Sequence, residues 1–286
     1  MFFYALFEMI FFLLFSQIPG FTQFRAPEID SITKHISLAN EQKLVVEADI
    51  SSFRLELKRY GTVREPPLLN AKIKYDSVSV MPVLKYQIKD RVGELSIQEE
   101  KKEGSGIFGF KNTCELTLTP KIPLCLELSS GASNIDLSGL KVAKLNLETS
   151  GKSTLCFNSP NPVKCEELYI STQIGNFRGE YLGNANFDVF HFQGGIGLYT
   201  LDFRGEFSGS RRVEIAMGGG SLKLILPKEV GIRLKPTGIG FVGAGSKLSL
   251  VEVEEGWYES QNWDTTGNKL IIHIDSSFGI LRVKIL

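Results

Sequence analysis

The chemistry available to this 286-residue chain would have to come from three histidines, four cysteines, two glycine-rich stretches and scattered carboxylates. His35, His191 and His273 are far apart in sequence, with no adjacent ligand or nucleophile, so neither a metal cluster nor a nucleophile–base pair is expected. Cys114, Cys125, Cys156 and Cys165 match no C-x-x-C spacing. Cys156 and Cys165 flank the turn-rich segment NSPNPVK, which leaves two readings: a disulfide formed in an oxidising compartment, or unpaired thiols on strands. Gly104, Gly106 and Gly109, and again Gly238, Gly240 and Gly243, satisfy G-x-G-x-x-G. A dinucleotide site needs that turn to open a helix that receives the pyrophosphate, and both stretches run into strand-like sequence instead. GGIGLYTLD (194–202) approaches a calcium-binding nonapeptide but places Tyr199 where a carboxylate is required. Asp136, Asp188 and Asp202 fall on the second-strand side of their segments and could line one wall. Glycosidic cleavage needs two carboxyls within about 5–10 Å, and no such pair is apparent. No catalytic, cofactor-binding or metal-ligating residue is therefore expected.

The elements that carry these residues form a repeat. LELSSGASNIDLSG (126–139), LNLETSGKSTLCFNSP (145–160), LYISTQIGNFRGEYLG (168–183), FHFQGGIGLYTLDFRG (190–205) and VEIAMGGGSLKLILP (213–227) share one plan. An alternating apolar strand leads into a glycine corner, and a second alternating strand follows. The corners Gly131, Gly151, Gly175, Gly197, Gly219 and Gly240 recur at about 22 residues, enough extended chain for one coil of two or three short strands. One coil cannot bury its own apolar face, whereas stacked coils close a continuous core. Expected inward positions are Leu126, Leu128, Ile135, Leu137, Leu145, Leu147, Leu155, Phe157, Leu168, Ile170, Phe177, Phe190, Phe192, Leu201, Phe203, Val213, Ile215, Leu222, Leu224 and Leu226. Asp136, Asn146, Tyr169, Asp202, Lys223 and Ile225 are expected to face outward. The fold class is thus all-β, a single-stranded β-solenoid. KLIIHIDSSFGILRVKIL (269–286) repeats the plan with Gly279 at its corner, and GWYESQNWDTTGN (256–268) interrupts it as an expected exposed loop. Trp257, Tyr258 and Trp263 on that loop are the candidate partner-binding aromatics, and capping the end of the core is the alternative role.

Composition narrows the functional classes. Lys and Arg number 32 against 32 Asp and Glu, so no overall field gathers nucleic acid. Residues 1–15 are apolar apart from Glu8, which suggests a signal peptide or a short membrane anchor over 1–23, although no basic residue precedes Arg25. Residues 24–39 read as a linker, and 40–286 as one domain: a less regular part over 40–120, then regular coils over 121–286.

These segments resemble the bacterial toast-rack domains, which include the C-terminal domain of LiaF-type cell-wall-antibiotic response proteins and adhesin-type relatives. The resemblance lies in ASNIDLSGLKVAKLNLETSGKSTLCF (132–157), YLGNANFDVFHFQGGIGLYTLDFRGEF (181–207) and GGGSLKLILPKEVGIRL (218–234), and it spans roughly residues 40–286. It implies a non-catalytic, exported protein of the bacterial envelope or surface, acting as an adhesin or an envelope-stress scaffold. The implied partner is a protein or envelope component, with no nucleic acid and with membrane contact only through the N-terminal apolar segment. A carbohydrate-active β-helix enzyme is the alternative. The LiaF-type layout places several membrane helices before the domain, where this chain has one short apolar segment.

Overall fold

The computed structural model describes residues 28–61, 64–102, 112–242 and 250–286. Segment 1–23, Gly104, Gly106, Gly109 and Gly243 lie outside the described residues. In chain order the strands are β1 (Ile29–Ile36), β2 (Lys43–Arg59), β3 (Leu69–Asp76), β4 (Val80–Lys89), β5 (Val92–Lys101), β6 (Asn112–Leu118), β7 (Pro123–Asp136), β8 (Lys141–Cys156) and β9 (Glu167–Glu180). There follow β10 (Val189–Asp202), β11 (Ser210–Leu226), β12 (Gly231–Thr237), β13 (Gly240–Val242), β14 (Leu250–Glu254), β15 (Trp257–Ser260), β16 (Lys269–Ser276) and β17 (Ile280–Ile285). The only helical turn among the described residues is a 3-10 turn at Leu182–Ala185.

Strands β7 to β11 stack in parallel, each pairing with its sequence neighbour along most of its length. Each is one long strand carried through a glycine corner. The register stacks Gly151 on Gly175, Gly175 on Gly197 and Gly197 on Gly220. The in-register corner of β11 is therefore Gly220, one residue beyond the expected Gly219. Gly175 and Gly220 have φ of 146° and 115°, a backbone region that side-chain-bearing residues rarely adopt. At the corner the inward-facing set shifts by one residue, from Phe190 and Phe192 to Tyr199 and Leu201 in β10, and from Val213 and Ile215 to Leu222 and Leu224 in β11. Strict period-2 alternation would turn the core face outward round the bend, and the extra residue at the corner prevents this.

All twenty expected inward residues are buried. Rings stack along the core, with Phe177 to Phe192 at 5.7 Å, Phe192 to Tyr199 at 5.1 Å and Phe190 to Phe203 at 5.4 Å between centroids. Tyr199 joins this core, and a Cβ on Gly194 would lie 2.7 Å from its ring, so the glycine makes room for it. Of the expected outward residues Asp202 is the exception. It is buried, and its carboxylate is gripped by Arg204 Nη2 at 2.6 Å.

The irregular segments that close each coil are tied by asparagines. Buried Asn161 accepts from the Val142 N–H at 3.0 Å and donates to the carbonyls of Val142 at 2.7 Å and Ala185 at 3.0 Å. Asn184 bridges the next pair of coils, donating to Phe157 O at 2.8 Å and accepting from Glu206 N at 2.8 Å.

Both ends of the stack depart from sequence order. β2 lies between β7 on one side and β5 with β6 on the other, all parallel to it. β4 and β3 flank these as antiparallel neighbours of β5 and β6. β1 adds to β3, so the lead-in segment expected to be a linker contains a paired strand. At the other end β16 and β17 are inserted between β11 and the β12–β13 pair. β15 pairs antiparallel with both β12 and β14, so the segment expected to be a loop opens with a strand.

Candidate binding face

The in-register parallel stack places side chains with equal offsets from their corners side by side. Tyr169, His191, Glu214 and His273 each precede their corner glycine by six residues, and the register sets them next to one another on β9, β10, β11 and β16. Asn146 extends the row on one side and Lys235 on the other. With adjacent strands about 4.8 Å apart, the six positions span about 24 Å.

Several contacts fix these groups. His191 Nδ1 lies 3.1 Å from Glu214 Oε2. The Tyr169 hydroxyl donates to Gln193 Oε1 at 2.5 Å. The Trp257 ring stands edge-on to His273 at 5.1 Å between centroids. The Arg233 guanidinium lies 4.7 Å from the Trp257 ring centre and Lys235 Nζ 5.4 Å from it. Arg233 is held in turn by Glu254 at 3.2 Å and Glu259 at 3.1 Å. Together Tyr169, His191, Glu214, His273 and Trp257 border a depression of about 610 Å³. It offers aromatic surface, a carboxylate, imidazoles and an ammonium on one rigid sheet, a set suited to non-covalent recognition.

The three candidate aromatics are split by the structure. Trp257 joins the face. Tyr258, the next residue of β15, packs against the hydrophobic core. Trp263 sits in the turn beyond β15, where Lys269 Nζ lies 4.4 Å from its ring centre. His191 and His273, expected to lack partners, both flank Glu214, while His35 is exposed on β1 at the far end of the stack. Tyr169 and His191 share the six-residue offset in the sequence, but Glu214 joins them only once pairing with Gly197 sets the corner of β11 at Gly220.

The acidic wall is not assembled as expected. Asp136 and Asp202 share a row, with Cys156 and Glu180 between them. Asp136 accepts from the Ser138 N–H at 3.0 Å, Asp202 is held by Arg204, and Glu180 is paired with Arg178. Asp188 stands before β10, away from that row, and binds Lys164 at 2.5 Å.

Cys156 and Cys165 are not bonded to each other, and all four cysteines are free thiols. Burial pushes the Cys165 thiol up to about 12, and burial with the nearby carboxylates of Asp136 and Glu180 raises Cys156 to about 11. Gly238 and Gly240 of the second glycine motif lie beside and in the short strand β13, and residues 243–249, which follow it, lie outside the described residues. Among the described residues no group of three His, Cys, Asp or Glu side chains is gathered to hold a metal, and no helix is long and apolar enough to cross a membrane.

Fold and face together define an open, single-sheet β-solenoid that displays ladders of outward side chains. Residues 25–159 match the N-terminal domain of toast_rack. Similar solved structures include a putative cell adhesion protein from Clostridium sporogenes, at 19% identity over 91% of this chain and 100% of that one, with a TM-score of 0.47. A putative adhesin from Bacteroides fragilis is 10% identical over 90% of this chain and 98% of that one, with a TM-score of 0.37. A putative lipid binding protein from Parabacteroides distasonis is 12% identical over 90% and 97% of the respective chains, also with a TM-score of 0.37. No curated protein matches the sequence.

Proposed function

We propose that this chain is an exported, non-catalytic protein of the cell envelope or surface, adhesin-like, which holds a protein or envelope component against the outer face of β9, β10, β11, β16 and β12. The observation that carries this reading is the row of Tyr169, His191, Glu214 and His273, closed at one end by Trp257. These side chains come from five strands, β9, β10, β11, β15 and β16, and are held on hydrogen-bonded sheet backbone, so little ordering cost remains to be met on binding. Trp257, braced between Arg233 and His273, is the expected anchor. The non-catalytic reading is supported by the carboxylates of Asp136, Asp188 and Asp202, each engaged within its own chain. Export is supported by the apolar character of residues 1–15.

The test is retention of the purified full chain on envelope and cell-wall fractions, with Trp257→Ala and Glu214→Lys compared against wild type. Loss of about tenfold in affinity for each variant, with unchanged unfolding temperature, is expected for an anchor and its neighbour. Equal retention of all three proteins would remove the face from the mechanism. Reproducible cleavage of a wall or plant polysaccharide, lost in Glu214→Gln, would replace the binding reading with an enzymatic one.

A further inference from the structure

A second surface lies along the corner itself. Ile174, Ile196, Leu198, Phe278 and Ile280 are large apolar residues between 40% and 70% exposed. The register gathers them. Ile174 pairs with Ile196, which pairs with Gly219, and the Phe278 ring lies over Gly219, within 2.2 Å of where its Cβ would be. On the other side of the corner glycines, Leu198 pairs with Ser221 and Ser221 with Ile280. The five side chains thus straddle the corner from β9 to β17, over about 14 Å.

Cations flank this ridge on one side. Lys152 stands in the row that contains Leu198 and Ile280, and the next row outward carries Arg178, Lys223 and Arg282. Neither row contains a carboxylate from β8 to β17. Arg178 is paired with Glu180, and Arg282 donates to Ser221 Oγ at 3.0 Å. Five side chains on a convex edge fall well short of the roughly 800 Å² per partner that a stable protein contact buries. A projecting apolar edge with a basic flank is the form that enters the boundary between lipid headgroups and acyl chains, where apolar burial and attraction to anionic lipid add.

We propose that the ridge of Ile174, Ile196, Leu198, Phe278 and Ile280 docks on an anionic lipid surface. This goes beyond the face built around Trp257 and adds a membrane contact separate from the N-terminal apolar segment. The test uses the full chain with vesicles of phosphatidylcholine and phosphatidylglycerol in equal parts, with bromine on the acyl chains. Tryptophan is introduced by Leu198→Trp on the ridge and by Asn146→Trp on the outer face, and wild-type emission from Trp257 and Trp263 is subtracted. At least twofold quenching of the tryptophan at 198, with little at 146, is expected however the rest of the chain meets the vesicle. Lys223→Glu combined with Arg282→Glu should lower that quenching at a given lipid concentration, shifting the midpoint about tenfold or more. Unquenched emission at 198 in protein that sediments with the vesicles would overturn the proposal. So would a dimer in solution that Leu198→Asp with Phe278→Asp converts to a monomer, since the ridge would then be a contact between copies.

Discussion

A Cβ placed on Gly197 would lie 2.0 Å from the carbonyl oxygen of Gly175, its partner on the preceding coil. The obstructing atom is backbone, locked in the parallel ladder, so no side-chain rotation can relieve the contact. Gly197→Ala is therefore expected to cost at least about 3 kcal/mol, the upper range for overpacking. Gly267→Ala, where nothing lies within 4 Å, should change stability by less than about 0.5 kcal/mol. Urea unfolding of the two variants measures the contrast, and equal losses would place the corner out of contact.

Leu147 and Leu224 test the core away from the corner. Both are fully buried, on β8 and on the second arm of β11. Truncation of either to Ala should cost about 2–5 kcal/mol, from lost transfer energy and the cavity left behind. Stability losses of less than about 0.5 kcal/mol at both sites, from denaturant unfolding, would mean that the coil register is wrong.

Asn161 joins three coils through one side chain. Asn161→Ala leaves the Val142 N–H and the carbonyls of Val142 and Ala185 without this partner, at an expected cost of at least about 2 kcal/mol. Asn161→Asp keeps an acceptor for Val142 but loses both donated bonds, so it should be no more stable than the alanine variant. Rescue of full stability by aspartate would show that only the accepted bond matters.

Acid should loosen the N-terminal end first. Burial is the largest influence on Glu41 and Glu99 and raises both, but the hydrogen bonds they accept overcome it and hold both carboxyls below the ordinary 4.5. Glu41 accepts from the Tyr86 hydroxyl at 2.5 Å and the Ala39 N–H at 2.7 Å, and Glu99 accepts from the Ser52 N–H at 3.0 Å and the Ser51 hydroxyl at 2.7 Å. A carboxyl depressed in the folded state contributes stability that is present above its unfolded value and is lost as pH falls through its folded value. The unfolding temperature should accordingly hold steady down to about pH 5 and drop below it. Glu99→Gln should start lower and fall less, and an acid slope identical to wild type would remove Glu99 from the account.

Leu145, Leu147 and Phe190 could be assigned to the core because alternation is local and needs no knowledge of the partner strand. The corner at Gly220 was missed by one residue because three consecutive glycines offer no side chain to set the phase, and only pairing with Gly197 fixes it. Asp202 occupies an outward phase, yet Arg204 two residues on folds back over it. Tyr199 stands where a calcium-binding nonapeptide needs a carboxylate, and its burial depends on space left by Gly194, which alternation alone does not show. The Tyr169 to His273 row was hidden for a different reason. It is a property of register between strands, and one member arrives from a strand inserted out of order.

That inserted pair has a consequence for assembly. In a simple solenoid each coil can dock on the one before it, and structure can grow in the direction of the sequence. Here β12 and β13 have no place to dock until β16 and β17, which come later in the chain, have covered β11. The cap must therefore wait, open-edged, for its own support. Cutting the chain before Lys269 would leave the stack with a detached end, in place of a solenoid merely one rung shorter.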